Sequence, residues 1–194
     1  MNNITITDKD YLLWVKDLAS RYRQSQIKAA VKVNAEQLKY YWLLGRDIVL
    51  LKADARWGSK FLKNLSEDLK KELPRATCFS ATNILYMKNF YLLFQDYIPN
   101  APQVVEQYTD VDIFAVPWGH YRYIIDRFMH DKRHALFYVR KTIENGWSRA
   151  MLLNFLDTDL YEREGKAVTN FAHTLPEPMS DLARELTKNH EPGS

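Results

Sequence analysis

The chain has 194 residues, 46% of them apolar, 13% aromatic and 26% charged, with a formal net charge of +3. That composition suits a folded globular chain with enough aromatic bulk for a sizeable core, and it argues against disorder over most of the length. Six Gly and seven Pro are few for a turn-rich β-sandwich or a Gly-rich nucleotide fold. The single cysteine, Cys78, excludes a disulfide framework and a thiolate zinc site. No apolar run reaches bilayer length, and the N-terminal MNNITITDKDYLLW lacks the basic-then-apolar order of a signal peptide, so a cytoplasmic protein is expected. The charge is unevenly placed. From Lys16 to Arg75 there are 14 Lys/Arg against 7 Asp/Glu, while the remainder holds 13 against 17. A basic half joined to a mildly acidic half points toward a polyanionic partner.

Helix follows helix along the chain. Tyr11, Trp14, Val15, Leu18 and Tyr22 fall at helical spacing after a capping Asp8 or Asp10, and this first helix is expected to run to about Val33. Asn34 with Gln37 reads as a capping pair that opens a second helix, whose apolar face is Leu38, Tyr41, Trp42, Gly45, Ile48 and Val49. A glycine inside that face costs about 1 kcal/mol in helix propensity, so Gly45 is expected to admit the close approach of another helix. Trp57-Gly58 breaks the pattern. A third helix carries Phe61, Leu62, Leu65, Leu69 and Leu73 and stops at Pro74. Ser80 caps a fourth, SATNILYMKNFYLLF, which is apolar nearly all round and therefore expected to be buried.

Residues 96–116 are expected to form a loop between two lobes, with 111–116 (VDIFAV) as a short strand candidate inside it. Pro117 suits the first turn of a fifth helix striped by Trp118, Tyr121, Ile125 and Phe128. A sixth helix spans about Asp131–Glu144 and is stopped by Asn145-Gly146. Ser148 caps a seventh that carries Leu152, Leu156 and Leu160. The expected fold class is all-α, with about seven helices in two small lobes: 1–95, a connector 96–116, 117–164, and a tail or linker 165–194. There is one internal echo. Helix, turn, aromatic-Ser and helix occur at 61–94, through Phe79-Ser80, and again at 132–161, through Trp147-Ser148. This order fits a helix-turn-helix unit, which can seat a helix in a DNA groove, and equally fits any tight helical pair.

Catalytic constellations are poor. His130 and His134 are four apart, but two cations lie between them and the base Glu of a metalloprotease is missing, so no metal is assigned. Glu164-Gly165-Lys166 matches a nuclease E-x-K fragment, yet it ends a helix where that chemistry needs paired strands, and it is rejected. No nucleotide loop and no nucleophile with a base is present. His120, between aromatics, reads as a hydrogen-bonded core histidine. No catalytic residue, metal or cofactor is assigned.

Several separated motifs carry a resemblance. In order they are Trp42-Leu43-Leu44-Gly45, Trp57-Gly58, Leu65-Ser66-Glu67-Asp68-Leu69, Phe79-Ser80 with Asn83 and Leu85, and Met87-Lys88-Asn89-Phe90-Tyr91. Trp118-Gly119-His120-Tyr121, Gly146-Trp147-Ser148 with Leu152-Leu153, Leu160-Tyr161-Glu162-Arg163 and Leu175-Pro176 with Ser180-Asp181-Leu182-Ala183 complete the set. On these the chain resembles the N-terminal domain of the YhcG-like family of bacterial proteins of unknown function. One departure is the turn PRATCF at 74–79, where the family usually shows a glycine just before Phe-Ser. The resemblance implies that Trp42, Gly45, Trp57, Gly58, Ser80, Trp118, His120, Tyr121, Trp147 and Ser148 are structural motif residues. It also implies a C-terminal domain like a PD-(D/E)XK nuclease, beginning soon after Leu186 in full-length members. The chain ends at Ser194, so a fragment or a shortened member is expected, and none of the nuclease carboxylates maps onto it.

The expected function is thus a non-catalytic DNA-binding or targeting domain. Arg21, Arg23, Lys28, Lys32, Lys60 and Lys63 would meet phosphates of double-stranded DNA, and Thr82, Asn83 and Lys88 would approach bases. The alternative is an interaction module, a homodimer built on aromatics such as Trp14, Tyr22, Tyr40, Tyr41, Tyr86 and Tyr91.

Overall fold

The computed structural model describes residues 9–95 and 111–166. The expected connector 96–110 and the tail from 167 onward, with its Leu175-Pro176 and Ser180–Ala183 motifs, lie outside the described residues. Those described are all-α, with eight helices and no strand.

The first two expected helices are one. α1 runs unbroken for 42 residues, Lys9–Leu50. Asn34 does not cap a helix; it sits buried within this one. Its Nδ2 donates to the carbonyl oxygens of Phe114 and Val116, both at 3.3 Å. A short polar side chain is costly inside a core unless paired, and here two carbonyls some 80 residues away pair it. Gln37 likewise turns to its own helix, and its Nε2 donates to the Tyr41 hydroxyl at 2.7 Å.

The segment 111–116 is not a strand. Asp112 Oδ1 accepts from the Phe114 amide at 2.9 Å, and the Ala115 amide bonds back to the Asp112 carbonyl. This turn thrusts Val111, Ile113, Phe114 and Val116 into the core. Its alternating apolar residues fill space between helices instead of pairing with a second strand. The Tyr121 hydroxyl donates to the Ile113 carbonyl at 2.6 Å and, with Asn34, satisfies backbone groups that no ladder serves.

After α1 come α2 (Ala53–Trp57), α3 (Phe61–Glu72) and α4 (Ala81–Leu93). Lys52 and Gly58 take left-handed φ values of 48° and 81° on either side of α2. Ser80 caps α4 as read, its Oγ accepting from the Asn83 amide at 3.1 Å. α4 is the central post, packed against α1, α3 and α5. Gly45 has the role its position suggested. A Cβ there would stand 2.1 Å from the Met87 carbonyl oxygen, so the backbones of α1 and α4 touch at this point.

α5 (Trp118–Phe128) and α6 (Lys132–Asn145) follow. Asp131 caps α6 by accepting from the His134 amide, and Gly146, at φ 59°, ends it. The expected seventh helix is two, α7 (Arg149–Asp157) and α8 (Leu160–Lys166), parted where Asp159 adopts φ 48°. Ser148 caps α7 through the Met151 amide. α7 packs on α5, and α8 returns to α6. The larger buried cluster draws side chains from both sides of 96–110, among them Leu38, Phe90, Phe114, Tyr121, Val139 and Leu152. A smaller cluster of Ile48, Ala53, Phe61, Phe79 and Ile84 lies under α2 and α3.

Candidate nucleic-acid interface

An α-helix rises 1.5 Å per residue, so α1 is a rod roughly 60 Å long. Its C-terminal part is held by the core through Leu38, Tyr41, Trp42, Gly45 and Ile48. Its N-terminal part is different. From Lys9 to Ala29 every residue except the half-buried Ile27 is exposed.

Joining the two expected helices changes how the cations line up. Arg21, Lys28, Lys32, Lys39 and Arg46 are spaced 7, 4, 7 and 7 apart. At 3.6 residues per turn these fall within about 40° of one line, on the side of α1 away from its buried face. The line is roughly 37 Å long at the helical rise. Lys28 and Lys32 have no carboxylate partner among the described residues. Arg21 pairs with Asp17 at 2.8 Å, Lys39 with Glu36 at 2.8 Å and Arg46 with Asp47 at 3.0 Å. All three pairs face solvent, so each cation stays open to a competing anion. Lys39 and Arg46 were absent from the expected site. Their signal was the spacing, which disappears when the helix is cut at Asn34.

The other expected residues do not share this line. Arg23 projects from the opposite side of α1, two residues on from Arg21. Lys60 and Lys63 stand exposed at the start of α3, where Lys63 lies 3.8 Å from Glu67. Thr82 is exposed in the first turn of α4. Asn83 and Lys88 are committed internally. Asn83 Nδ2 donates to the Cys78 carbonyl at 2.7 Å, and its Oδ1 accepts from Trp118 Nε1 at 2.8 Å. Lys88 is ion-paired with Asp54, which ties α4 to α2. Between Ala81 and Leu93 only Thr82 and Leu85 are exposed, so α4 offers little to a groove. In the second copy of the echo, α7 turns Arg149, Ala150, Met151, Asn154 and Asp157 outward.

The motif residues sit in or against the core. Trp118 lies edge-on to Tyr41 at 4.8 Å and to Phe90 at 5.6 Å, and Phe90 in turn meets Tyr121 at 4.6 Å. Trp42 meets Tyr91 at 5.0 Å, and Trp147 stacks on Phe155 at 4.3 Å. His120 is fully buried, with Nε2 at 2.9 Å from the Trp147 carbonyl. A carbonyl can only accept, so Nε2 carries the proton and donates. Trp57, Gly58 and Ser80 are the exposed ones, and Trp57 is stacked on Phe61 at 5.3 Å with the Arg56 guanidinium above it. Burial, then the neighbouring Cys78 thiol, push the Tyr41 phenol well above its ordinary range. A hydrogen bond donated to Asp126 at 2.6 Å, the largest of several causes, also raises the Tyr86 phenol.

His130 lies outside α6 and His134 inside it, so the two do not form a helical pair. His134 Nδ1 instead lies 2.6 Å from Asp131 Oδ2, and its ring stacks on Phe128 and tilts against Tyr161. Burial raises the Asp131 carboxyl, but the His134 amide and ring and the Arg133 amide outweigh it and hold the group below its ordinary range. Glu164 pairs with Lys141 at 2.9 Å. Among the described residues no three His, Cys, Asp or Glu gather to hold a metal ion, and no helix is long and apolar enough to cross a membrane.

Residues 17–163 match the family model described as DUF1016 N-terminal domain. The chain belongs to that family. It is also similar to a protein of Escherichia coli (strain K12) named "Putative nuclease YhcG", with 30% identity over 155 residues. The match covers 68% of this chain and 40% of that protein, so this chain spans less than half of its relative's length. No solved structure matches the chain significantly. The family match covers α1 from Asp17 onward through most of α8, and so includes the whole cationic line.

Proposed function

We propose that this chain is a non-catalytic helical domain of a nuclease-family protein, and that it holds double-stranded DNA along the exposed line of α1. The observation that carries the reading is the alignment of Arg21, Lys28, Lys32, Lys39 and Arg46 on one side of a single rod. A row of flexible cations on a stiff helix suits phosphate contact and sets position without reading sequence. The name of the E. coli relative supports a nucleic-acid setting. In full-length members the cutting would belong to the C-terminal PD-(D/E)XK-like domain, and the setting would be the bacterial cytoplasm.

The test is fluorescence anisotropy with a labelled duplex across a salt series. Four or five phosphate contacts give a log–log salt slope of about −4. Lys28→Glu with Lys32→Glu should weaken binding and flatten the slope by about 2. An absence of binding at low salt overturns the proposal.

A second reading, self-association, is favoured by a separate observation. The N-terminal half of α1 exposes Tyr11, Leu12, Trp14, Val15, Leu18 and Tyr22.

A further inference from the structure

Tyr11, Val15, Leu18 and Tyr22 are spaced 4, 3 and 4 apart, the alternation that keeps one seam of a helix facing a partner helix. They form a stripe about 100° around α1 from the cationic line. Nothing of the described fold covers them, or Trp14 at the edge of the stripe nearest the cationic line: Tyr22 is 67% exposed, Trp14 55% and Tyr11 39%. The exposed parts of these three aromatic side chains alone amount to roughly 250–400 Å². With Leu12, Val15 and Leu18 added, the patch exceeds what a monomer ordinarily leaves open. Doubled across a two-fold axis, it approaches the ~1,200 Å² floor of specific interfaces.

We infer that the occupant is a second copy of this chain, bound through an antiparallel α1–α1 pair centred between Lys16 and Asp17. In that register Tyr11 meets Tyr22 of the second copy, and Val15 meets its Leu18. Symmetry repeats both contacts, giving four apolar layers and no polar one. The residues beside the seam also agree. Arg21 faces Trp14 of the second copy, a guanidinium over an indole, and Leu12 faces Ala19. Sliding by one heptad toward the C-terminal end of α1 would set Arg21 against its own symmetry mate and bring Ser25 into the seam, and sliding the other way would carry Leu18 and Tyr22 past Lys9, where α1 begins, and halve the layers. A parallel pair would carry the seam through Ser25 to Lys32, placing like charges together. Of these arrangements, charge and pattern favour the antiparallel register centred between Lys16 and Asp17.

The inference deepens the self-association reading and rests on it, but it does not depend on nucleic acid. Sedimentation equilibrium without DNA should show a dimer, and Leu18→Glu should raise its dissociation constant about 100-fold or more. Leu18 is solvent-exposed in the single chain, so circular dichroism of the variant should keep the helical signal of the parent. A monomer at high concentration overturns self-association, and the register with it. The register has its own test in a Cys78→Ser background. A chain carrying Tyr11→Cys, mixed with one carrying Tyr22→Cys, should form the mixed disulfide on oxidation. A Tyr22→Cys homodisulfide within a dimer overturns the antiparallel register while leaving self-association standing, since antiparallel copies hold those residues roughly 16 Å apart along the axis.

Discussion

Gly45→Ala sets two opposed effects against each other. On an isolated helix the change is favourable by up to about 1 kcal/mol, because alanine loses less backbone freedom. In this fold the new Cβ would stand 2.1 Å from the Met87 carbonyl oxygen, 2.8 Å from its carbon and 3.0 Å from Tyr91 Cβ. Normal contact needs about 3.5 Å, so α1 and α4 must part by more than about 1 Å. The obstacle is backbone, and no rotamer change relieves it. Parting the helices also loosens Leu38, Trp42, Met87 and Tyr91, which share one core. Overpacking costs about 1–3 kcal/mol even where side chains can yield. The upper end applies here, leaving a net loss of about 2 kcal/mol after the propensity gain. Urea denaturation should show that loss, with Tm lower by about 4–8 °C. Ser25→Ala, on the exposed part of α1, is the control and should be neutral or slightly stabilising. A Gly45→Ala protein as stable as the parent would refute the close approach of the two backbones.

Asn34→Leu strips the carbonyls of Phe114 and Val116 of their donor and should cost about 2–3 kcal/mol in chemical denaturation. His120→Phe keeps the ring volume but orphans the Trp147 carbonyl; about 1–3 kcal/mol is expected by the same measurement. Asp131→Ala removes the α6 cap and should cost about 1 kcal/mol at neutral pH. Because the folded Asp131 carboxyl is held below its ordinary value of 3.8, its contribution is complete above that value and is lost as pH falls through the lower, folded value. The difference between parent and Asp131→Ala should therefore shrink on acidification below about pH 4, as urea midpoints across that range would show.

The helix starts at Ser80, Asp131 and Ser148 were legible because a cap is a local device, settled by the side chain and the amide three residues on. The role of Gly45 was legible because only a neighbour explains a glycine on an apolar helical face. Asn34 was misread for the converse reason. The same short polar side chain serves a cap and a buried donor, and its partners are a turn some 80 residues distant. The apolar alternation of 111–116 misled in the same way, since period-two burial also arises when a turn presses several side chains into a core. The break at Asp159 left no signal, because neither glycine nor proline marks it. The candidate site depends on the same two residues, Asn34 and Asn83. Cutting α1 at Asn34 hid the register that joins Arg21 to Arg46, and Asn83, legible as a motif residue, proved to be a strut between Cys78 and Trp118.

The two exposed lines of α1 constrain each other. In the antiparallel pair the sides of the helices carrying Arg21 and Lys28 face the same way, so the two cationic lines join into one run of roughly 90 Å. A dimer would then offer eight to ten phosphate contacts where one chain offers four or five, and the log–log salt slope should approach −8. A neutral disruption of the seam, Leu18→Ser with Tyr22→Ser, touches no cation. If DNA lies along the joined run, this variant should bind far more weakly at low salt, with its slope cut by about half. If the slope is unchanged while sedimentation reports a monomer, DNA does not cross the two-fold axis. The cationic line and the apolar seam would then serve separate partners.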